Sequence, residues 1–316
     1  MEAKVTSFRT KGNLGVVQLT TAGQGHLEHI TAARAMREGR LAIKEVSEAG
    51  SVHTLLVVND AGTFVFLADG DILAGAKQTR VVNTSILLAP LSTTPIPVSC
   101  VEQGRWRFTS PGLSSADFTA PSALRAAKAE QVRVNLRAQA GHQADQGDIW
   151  ARVGDYQEAH GVRSATGSLA DVFDGRKETF DAFLESFTPD PAANGMGVYI
   201  GGTLACIDIF NSREVYREYV PKLVRGAAME AWPLPLPAKP LSEAEARFTL
   251  LDAMDHLQAA ERETFAGVGV GEEDRFEAGG MTGSTLRHLG ALIHWSALRH
   301  QGPVRGRGPH RRPAQG

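Results

Sequence analysis

The sequence predicts an α+β protein with a β-rich N-terminal half, a helical middle and a C-terminal part that mixes strands and helices. Between residues 41 and 106, five short runs rich in β-branched and aromatic residues alternate with turn signals, a pattern typical of a sandwich or small barrel. Between 121 and 187, apolar residues recur at the spacing of amphipathic helices. Strand-like runs return from residue 197 onward.

Size and composition indicate one compact domain. The chain has 316 residues, of which 42% are hydrophobic and 22% charged, as in a globular protein with a large core. We expect this domain to span residues 1–300, β-rich over 1–110, helical over 120–190 and mixed over 195–300. Residues 301–316 are rich in Gly, Pro and Arg without apolar periodicity, which predicts a disordered basic tail.

Charge and cysteine content narrow the location and the partners. The formal net charge of -2 argues against chain-wide attraction to nucleic acid or acidic lipid. Cys100 and Cys206 are the only cysteines, a count that fits a reducing cytoplasm. The N-terminus has no signal-peptide pattern, and no window approaches the roughly 18 apolar residues of a membrane span. We therefore expect a soluble cytoplasmic protein without a membrane partner.

In chain order, the first predicted elements are a strand over 14–20 and a short helix over 31–39, with Thr31 as its N-cap. The five strand-like runs follow: LAIKEV, VHTLLVVN, TFVFLA, RVVNTSILLA and IPVSCVE. The turn residues at 59–62 predict a hairpin between the second and third runs. A Pro-containing turn is predicted at 92–97.

The rest of the chain is predicted as helices followed by mixed elements. Helices are expected over 121–139, 145–159 and 168–187, and a hairpin at Gly201-Gly202. Asn211 and Glu214 predict a capping pair for a helix ending at 231. A helix from Ser242 to Gly267 follows a proline-rich connector, and a terminal hairpin is predicted from DRFEA and HLGALIHWSAL.

One stretch, residues 69–108, concentrates polar side chains between short apolar runs. The candidate ligand-binding residues lie within it: Lys77, Gln78, Arg80, Asn83, Cys100, Glu102, Arg105 and Trp106. In a strand, Gln78 and Arg80 would share one face and Lys77 would lie on the other. An arginine so placed can hold a phosphate through two parallel hydrogen bonds. The alternative is a solvated edge whose charges form ion pairs.

The other members of this stretch also allow two interpretations each. Cys100 near Arg105 would be nucleophilic if its thiolate were stabilised, but without a histidine in the block a buried structural cysteine is favoured. Glu102 would either accept from ribose hydroxyls or pair with Arg105 or Arg80 in a buried network. Trp106 would either stack on an adenine ring or cover a sheet edge.

Motifs identify no reaction, metal or cofactor. There is no HExxH, GxSxG or GxxxxGK[ST] pattern. The GxGxG run at 267–271 follows a predicted helix rather than a strand, so it is not a dinucleotide fingerprint. Gln146 and Trp150 lie one helical turn apart, which fits a packed helix with a satisfied amide better than a site.

Two blocks of this sequence carry a family resemblance. The first is Gly70-Asp71, Gly75, Lys77-Gln78-Thr79-Arg80 and Asn83, and the second is PVSCVEQGRW at 97–106. Together they resemble the bacterial ARG-and-Rhodanese-Phosphatase-superfamily-associated protein domain family, with Ala76 where a second glycine is expected. The resemblance covers most of residues 1–300. It implies a setting of ADP-ribosylglycohydrolases and ADP-ribose or NAD chemistry, and it brings no established catalytic residues.

The leading hypothesis is therefore a protein that binds or processes an ADP-ribose- or NAD-type nucleotide ligand. Arg80 and Lys77 would hold phosphates, Glu102 would accept ribose hydroxyls and Trp106 would stack on the base. The alternative is a non-enzymatic scaffold or regulatory subunit whose partners are proteins of the ADP-ribosylation system. A third hypothesis is a nucleic-acid-associated stress protein that uses its Arg-rich tail. The sequence does not decide whether the protein is an enzyme.

Overall fold

A computed structural model describes residues 1–23, 25–237 and 239–300. These residues form an α+β fold in which a large antiparallel sheet, a closed barrel and a small sheet are joined by helices. The predicted fold class is confirmed, and the barrel alternative is the one observed. The predicted tail at 301–316 lies outside the described residues.

The large sheet forms one side of the protein. Its order is β1-β2-β12-β13-β17-β16-β15-β14, with antiparallel neighbours throughout. Its strands are β1 Glu2–Lys11, β2 Leu14–Ala22, β12 Gly195–Ile200, β13 Thr203–Phe210, β14 Glu263–Ala266, β15 Glu272–Ala278, β16 Met281–His288 and β17 Ala291–Arg299. The sheet thus contains strands from both ends of the described chain, with three strands between β1 and β17. The hairpin at Gly201-Gly202 is confirmed. The predicted terminal hairpin is wrong in its pairing, because β16 lies between β15, which contains DRFEA, and β17, and pairs with both.

The barrel closes in the order β10-β5-β4-β11-β7-β8. Its strands are β4 Leu41–Glu45, β5 Thr54–Asn59, β7 Asp71–Gly75, β8 Arg80–Val82, β10 Ser92–Cys100 and β11 Leu113–Thr119. Alternate residues of these strands, including Ile43, Val57, Val82 and Val98, share one apolar cluster, as expected when every second side chain points inward. Beside it, the small sheet consists of β3 His29–Thr31, β6 Phe64–Leu67 and β9 Ile86–Leu88.

The helices cover the sheets and fill the space between them. They are α1 Ala32–Arg37, α2 Ser122–Arg137, α3 Gln146–His160, α4 Leu169–Gly175, α5 Lys177–Leu184, α6 Arg213–Ala231 and α7 Glu243–Ala259. The main core includes apolar side chains of β2, α2 and α6, while α7 packs on the opposite face of the large sheet. Among the described residues, no helix is long and apolar enough to cross a membrane.

Several local predictions are confirmed by the caps. Thr31 accepts from the backbone N–H of Arg34 at the start of α1. Ser242, where helix α7 is predicted to begin, is its N-cap and forms a capping box with Glu245. The helix over 212–231 is present, but its cap is Ser212 rather than Asn211. Asn211 instead donates to the carbonyls of Gly25 and Leu292, which leaves Ser212 to satisfy the first helical N–H groups.

Four predicted elements, a hairpin, a turn, a strand and a helix, differ from those in the structure. The hairpin at 59–62 does not form, because both edges of β5 are taken by β4 and β10 while β6 belongs to the small sheet. Residues 92–97 are part of β10 and not a turn, since Pro95 and Pro97 are two apart and leave their missing N–H groups on the same edge. The run at 80–89 splits into β8 and β9, which enter different sheets. The predicted helix over 168–187 breaks at Arg176.

Two further differences concern the large sheet. The first strand, β1, was not predicted, and it pairs with β2 along its whole length. The predicted helix to Gly267 ends at Ala259, and residues 263–266 form the edge strand β14. In both cases pairing with a neighbouring strand overrides weak local signals.

Candidate functional site

One end of the barrel interior is charged, whereas the rest of that interior is apolar. Along β4 the inward positions are Leu41, Ile43 and then Glu45. Along β10 the inward positions are Ile96, Val98 and Cys100. Cys100 lies directly opposite Arg80, the first residue of β8. Period-two alternation therefore places three polar or ionisable side chains, Glu45, Arg80 and Cys100, at this end. We call it the barrel mouth.

Arg80 is fully covered but only partly hydrogen-bonded. Its side chain is 0% exposed, and its Nη2 lies 3.8 Å from Glu45 Oε1 and donates to the Ser51 carbonyl at 3.4 Å. Its Nε and Nη1 have no hydrogen-bond partner among the described residues. Burial lowers the pKa of Arg80. Each buried donor left without a partner lowers the free energy of unfolding by roughly 1–3 kcal/mol. An added acceptor that bonded to this guanidinium would therefore be stabilising.

Two acceptors at the same end are also unsatisfied within the described ranges. Glu45 Oε2 and Gln78 Oε1 are buried without a hydrogen bond, whereas Glu45 Oε1 accepts from the backbone N–H of Lys77 at 3.3 Å. The barrel mouth therefore holds unfilled donors and unfilled acceptors together. Such groupings are uncommon in folded proteins, where buried polar atoms are nearly always paired.

An aromatic loop covers the barrel mouth. Trp106 and Phe108, in the loop 103–110, are 44% and 51% exposed. The ring of Trp106 lies 5.5 Å from the Arg80 guanidinium and 5.2 Å from Lys77 Nζ, which is also 5.1 Å from the ring of Phe108. These are cation–π distances. We call residues 103–110 the cover loop.

Gly50 lets the cover loop approach closely. A Cβ at this position would lie 3.2 Å from Trp106 Cζ2 and 3.2 Å from Glu45 Oε2, and φ there is +76°. A side chain at 50 would therefore be strained and would crowd both groups. The glycine keeps the space between the carboxylate and the indole narrow.

Glu102 and Arg105 fasten the root of the cover loop. Arg105 donates from Nε to Glu102 Oε1 and from Nη2 to Oε2, both at 2.7 Å. The same carboxylate accepts from the backbone N–H and hydroxyl of Thr79 and from the hydroxyl of Thr166, each at 2.9 Å. Burial by itself raises the pKa of Glu102, but these bonds outweigh it and lower the pKa to about 2. We call this bidentate pair the latch.

Arg105 also holds both sides of the cover loop. Its Nη1 donates to the carbonyls of Ala76 and Arg107 and to the hydroxyl of Thr109, at 2.8, 3.2 and 3.0 Å. The latch is therefore already saturated by protein groups. Glu102 has no oxygen left for a ribose, which argues against its predicted ligand-binding role.

The structure does not bring all the predicted site residues together. Lys77, Arg80, Cys100 and Trp106 lie at the barrel mouth, and Glu102 and Arg105 form the latch beside it. Lys77 and Gln78 lie in the turn between β7 and β8 rather than in a strand, so the predicted alternation of faces does not apply to them.

Asn83 and Cys100 have structural partners away from solvent. Asn83 accepts from Ser99 Oγ at 2.9 Å and donates to the His142 carbonyl at 3.0 Å. The thiol of Cys100 donates to the Glu102 carbonyl at 3.0 Å, and burial raises its pKa. A raised pKa disfavours the thiolate, so Cys100 does not have the character of a nucleophile. The Gln146 amide bonds both backbone groups of Cys100, as the packed-helix interpretation expects.

A buried ionic network that the sequence reasoning missed joins the barrel to the large sheet. Arg125 of α2 makes a bidentate pair with Asp208 of β13, and Asp69 lies between Arg125 and Lys128. At Gly70 a Cβ would lie 2.7 Å from Arg125 Cδ, and φ is +86°. The Asp-Gly turn at 69–70 thus presents its backbone directly to the arginine, which no larger residue allows.

Two other places bring ionisable side chains close together: a carboxylate–histidine cluster and a surface groove. Glu130, Glu277 and His300 bring possible metal-ligand atoms within 4.8 Å of one another, but Arg133 already pairs with both carboxylates at 2.8 Å. A groove of about 510 Å³ beside α1, β11 and α6 is lined by Lys222 and Arg225, among others. Both of these cations are already paired with aspartates. Among the residues that the structure describes, neither place offers an unpaired buried group.

Comparison with models of known protein families shows to which family the chain belongs. The sequence model of the ARG and Rhodanese-Phosphatase-superfamily-associated Protein domain matches residues 2–298. The chain belongs to this family. The match includes the barrel, the cover loop and all but the last residue of the large sheet's final strand, so the barrel mouth and the latch lie inside the family domain. No curated protein and no solved structure matches the chain.

Proposed function

We propose that the barrel mouth binds the anionic end of a small nucleotide-type ligand of the ADP-ribose class. In this proposal Arg80 donates hydrogen bonds to a phosphate of the ligand. The observation that carries this proposal is the pair of buried guanidinium nitrogens, Nε and Nη1, without hydrogen-bond partners in the described structure. Nη1 lies on the Cδ side of the planar guanidinium, whereas the Nε–H points to the Nη2 side, so the two free donors face different edges and each can donate to a separate phosphate oxygen. The family setting of ADP-ribose chemistry favours this ligand class.

The hydroxyl-binding role passes from Glu102 to Glu45. Glu102 is saturated by the latch, whereas Glu45 Oε2 and Gln78 Oε1 are unpartnered acceptors at the barrel mouth. Ribose hydroxyls are donors of the kind that such acceptors need. In this arrangement one ligand would fill both the donors of Arg80 and the acceptors beside it.

Ligand entry requires the cover loop to move. Trp106 lies over Arg80, and its half-exposed ring is positioned to stack on a base once it swings outward. Because Arg105 is bound to Ala76 of the barrel and also to Arg107 and Thr109, the movement would be confined to the side chain of Trp106. No bond-breaking step is assigned to these groups.

Titration calorimetry of the ligand-free protein with ADP-ribose, NAD and AMP tests the proposal, with ribose as the uncharged control. We expect heat from the phosphate-bearing compounds and none from ribose. Arg80→Met should abolish that heat, while the charge-matched variant Arg247→Met, on the exposed face of α7, should retain it. Absence of heat with all three nucleotides in the wild-type protein contradicts the proposal.

A non-enzymatic scaffold is the second candidate, and it is favoured by the closure of the latch and the cover of Arg80. Stability separates the two. On the ligand proposal, Arg80→Met combined with Glu45→Gln removes unsatisfied groups, so the free energy of unfolding should stay within about 1 kcal/mol of wild type or rise. On the scaffold proposal, the same variant should lose roughly 3 kcal/mol or more, because it would remove the Arg80–Glu45 contact and the bond to the Ser51 carbonyl from a network on which the closed barrel end depends.

The nucleic-acid alternative rests on the tail at 301–316, outside the described residues. Deleting this tail tests it. Unchanged retention on DNA by the shortened protein would remove that alternative.

A further inference from the structure

A second groove, of about 380 Å³, lies on the large sheet beside the end of α7. Its floor is a row across three strands, since Asp274 of β15 is paired in register with Thr285 of β16, and Thr285 with Trp295 of β17. Helix α7 covers the neighbouring part of this face and ends at Ala259. After α7, the side chain of Arg262 also lines the groove.

This row contains one unfilled acceptor and one unfilled donor. Asp274 and Trp295 are 1% and 2% exposed. Asp274 Oδ1 accepts from Thr264 Oγ1 at 2.8 Å and from Arg287 Nη2 at 2.9 Å, but Oδ2 has no hydrogen-bond partner among the described residues. The indole Nε1 of Trp295 is likewise unpartnered within the described ranges. Buried groups of this kind need a partner from elsewhere.

The groove carries an excess positive charge. Arg262 and Arg287 both line it, against the single carboxylate of Asp274. Arg262 lies 3.9 Å from Asp274 Oδ2 and donates to Thr285 Oγ1 at 3.2 Å, above the ring of Phe276. Arg287 is 46% exposed, so it can turn outward to admit a ligand. The N-terminal ammonium of Met1 also lines the groove, so a small anion would offset part of the excess positive charge.

We propose that this groove binds a small hydroxylated anion, in which a carboxylate or phosphate lies two or three bonds from a hydroxyl. The anionic oxygens accept from Trp295 Nε1 and from the two arginines, and the hydroxyl donates to Asp274 Oδ2. An ammonium in place of the hydroxyl would add to the positive charge already present in the groove, which disfavours simple zwitterions for this class. The site is independent of the barrel mouth.

Calorimetry and indole N–H shifts of the full chain test this proposal with four probes. Glycerate and glycerol 3-phosphate carry both groups, propionate lacks the hydroxyl and glycerol lacks the charge. We expect glycerate, glycerol 3-phosphate or both to bind, which assigns the carboxylate or phosphate class, and we expect propionate and glycerol to bind at least about tenfold more weakly. Trp295 Nε1–H should shift on binding.

Two variants locate the binding. Trp295→Phe removes the N–H together with the pyrrole half of the buried indole, so it should lower the melting temperature through the cavity it leaves and weaken binding about tenfold, measured well below that temperature. Arg287→Gln should weaken it by a similar factor, whereas Arg80→Met should not change it. Absence of binding by both complete probes, equal binding of propionate or glycerol, or unchanged affinity in both groove variants would overturn the proposal. A failure at the barrel mouth would leave these results unaffected.

Discussion

Replacing Glu102 with glutamine should show how much the latch contributes and at which pH. The folded pKa of Glu102 is about 2, against an ordinary value of 4.5. At 1.36 kcal/mol per pKa unit, the gap of about 2.5 units corresponds to at most about 3.4 kcal/mol. Because residues 103 and 104 beside it are exposed, solvent screening reduces this, and we expect Glu102→Gln to cost about 2 kcal/mol at pH 7.

The pH dependence gives this prediction its sign. The pKa of Glu102 is lowered in the folded protein, so its stabilisation is complete above about pH 4.5 and is lost as the pH falls toward 2. Urea unfolding of wild type and Glu102→Gln at pH 7, 5 and 3 should show a gap that shrinks by most of its value between pH 5 and pH 3. Other acidic groups titrate in both proteins and cancel in the difference. A gap that is absent at pH 7, or that stays constant to pH 3, would refute the role of the latch.

Two further predictions concern backbone positions. Gly70→Ala places a Cβ against Arg125 at a positive φ and should cost roughly 3 kcal/mol, whereas Gly39→Ala, at φ +68° with nothing within 4 Å, should cost about 1 kcal/mol; equal losses in urea unfolding would contradict the close approach. Ala76→Gly should change stability by less than about 1 kcal/mol, because relief of its φ of +40° offsets the loss of one buried methyl, and a thermal melt lowered by more than 5 °C would show that the offset is wrong.

The fold class could be predicted because local signals agree with the final structure in many elements. The Gly-Gly hairpin, the cap at Thr31 and the capping box at Ser242 all act within a few residues. The wrong predictions share a different cause. Whether β5 pairs with β6 or with β10 depends on strands up to 40 residues away, which no short window contains.

The candidate site was predictable in part for the same reason. The block 97–106 revealed the latch and Trp106, since Glu102 and Arg105 are three residues apart. Glu45 was missed because only closure of the barrel brings it to Arg80, although its place at the inward end of LAIKE was a readable signal. The burial of Arg125 could not be predicted from the helix alone, because it follows from a partner 83 residues away.

The most direct test of the central claim is a crystal structure of the protein grown with ADP-ribose. The account predicts a phosphate oxygen about 2.8 Å from Arg80 Nε or Nη1, with Trp106 displaced from its position over the guanidinium. A structure at saturating ADP-ribose in which Trp106 still covers Arg80, with only ordered water at those nitrogens, would contradict it.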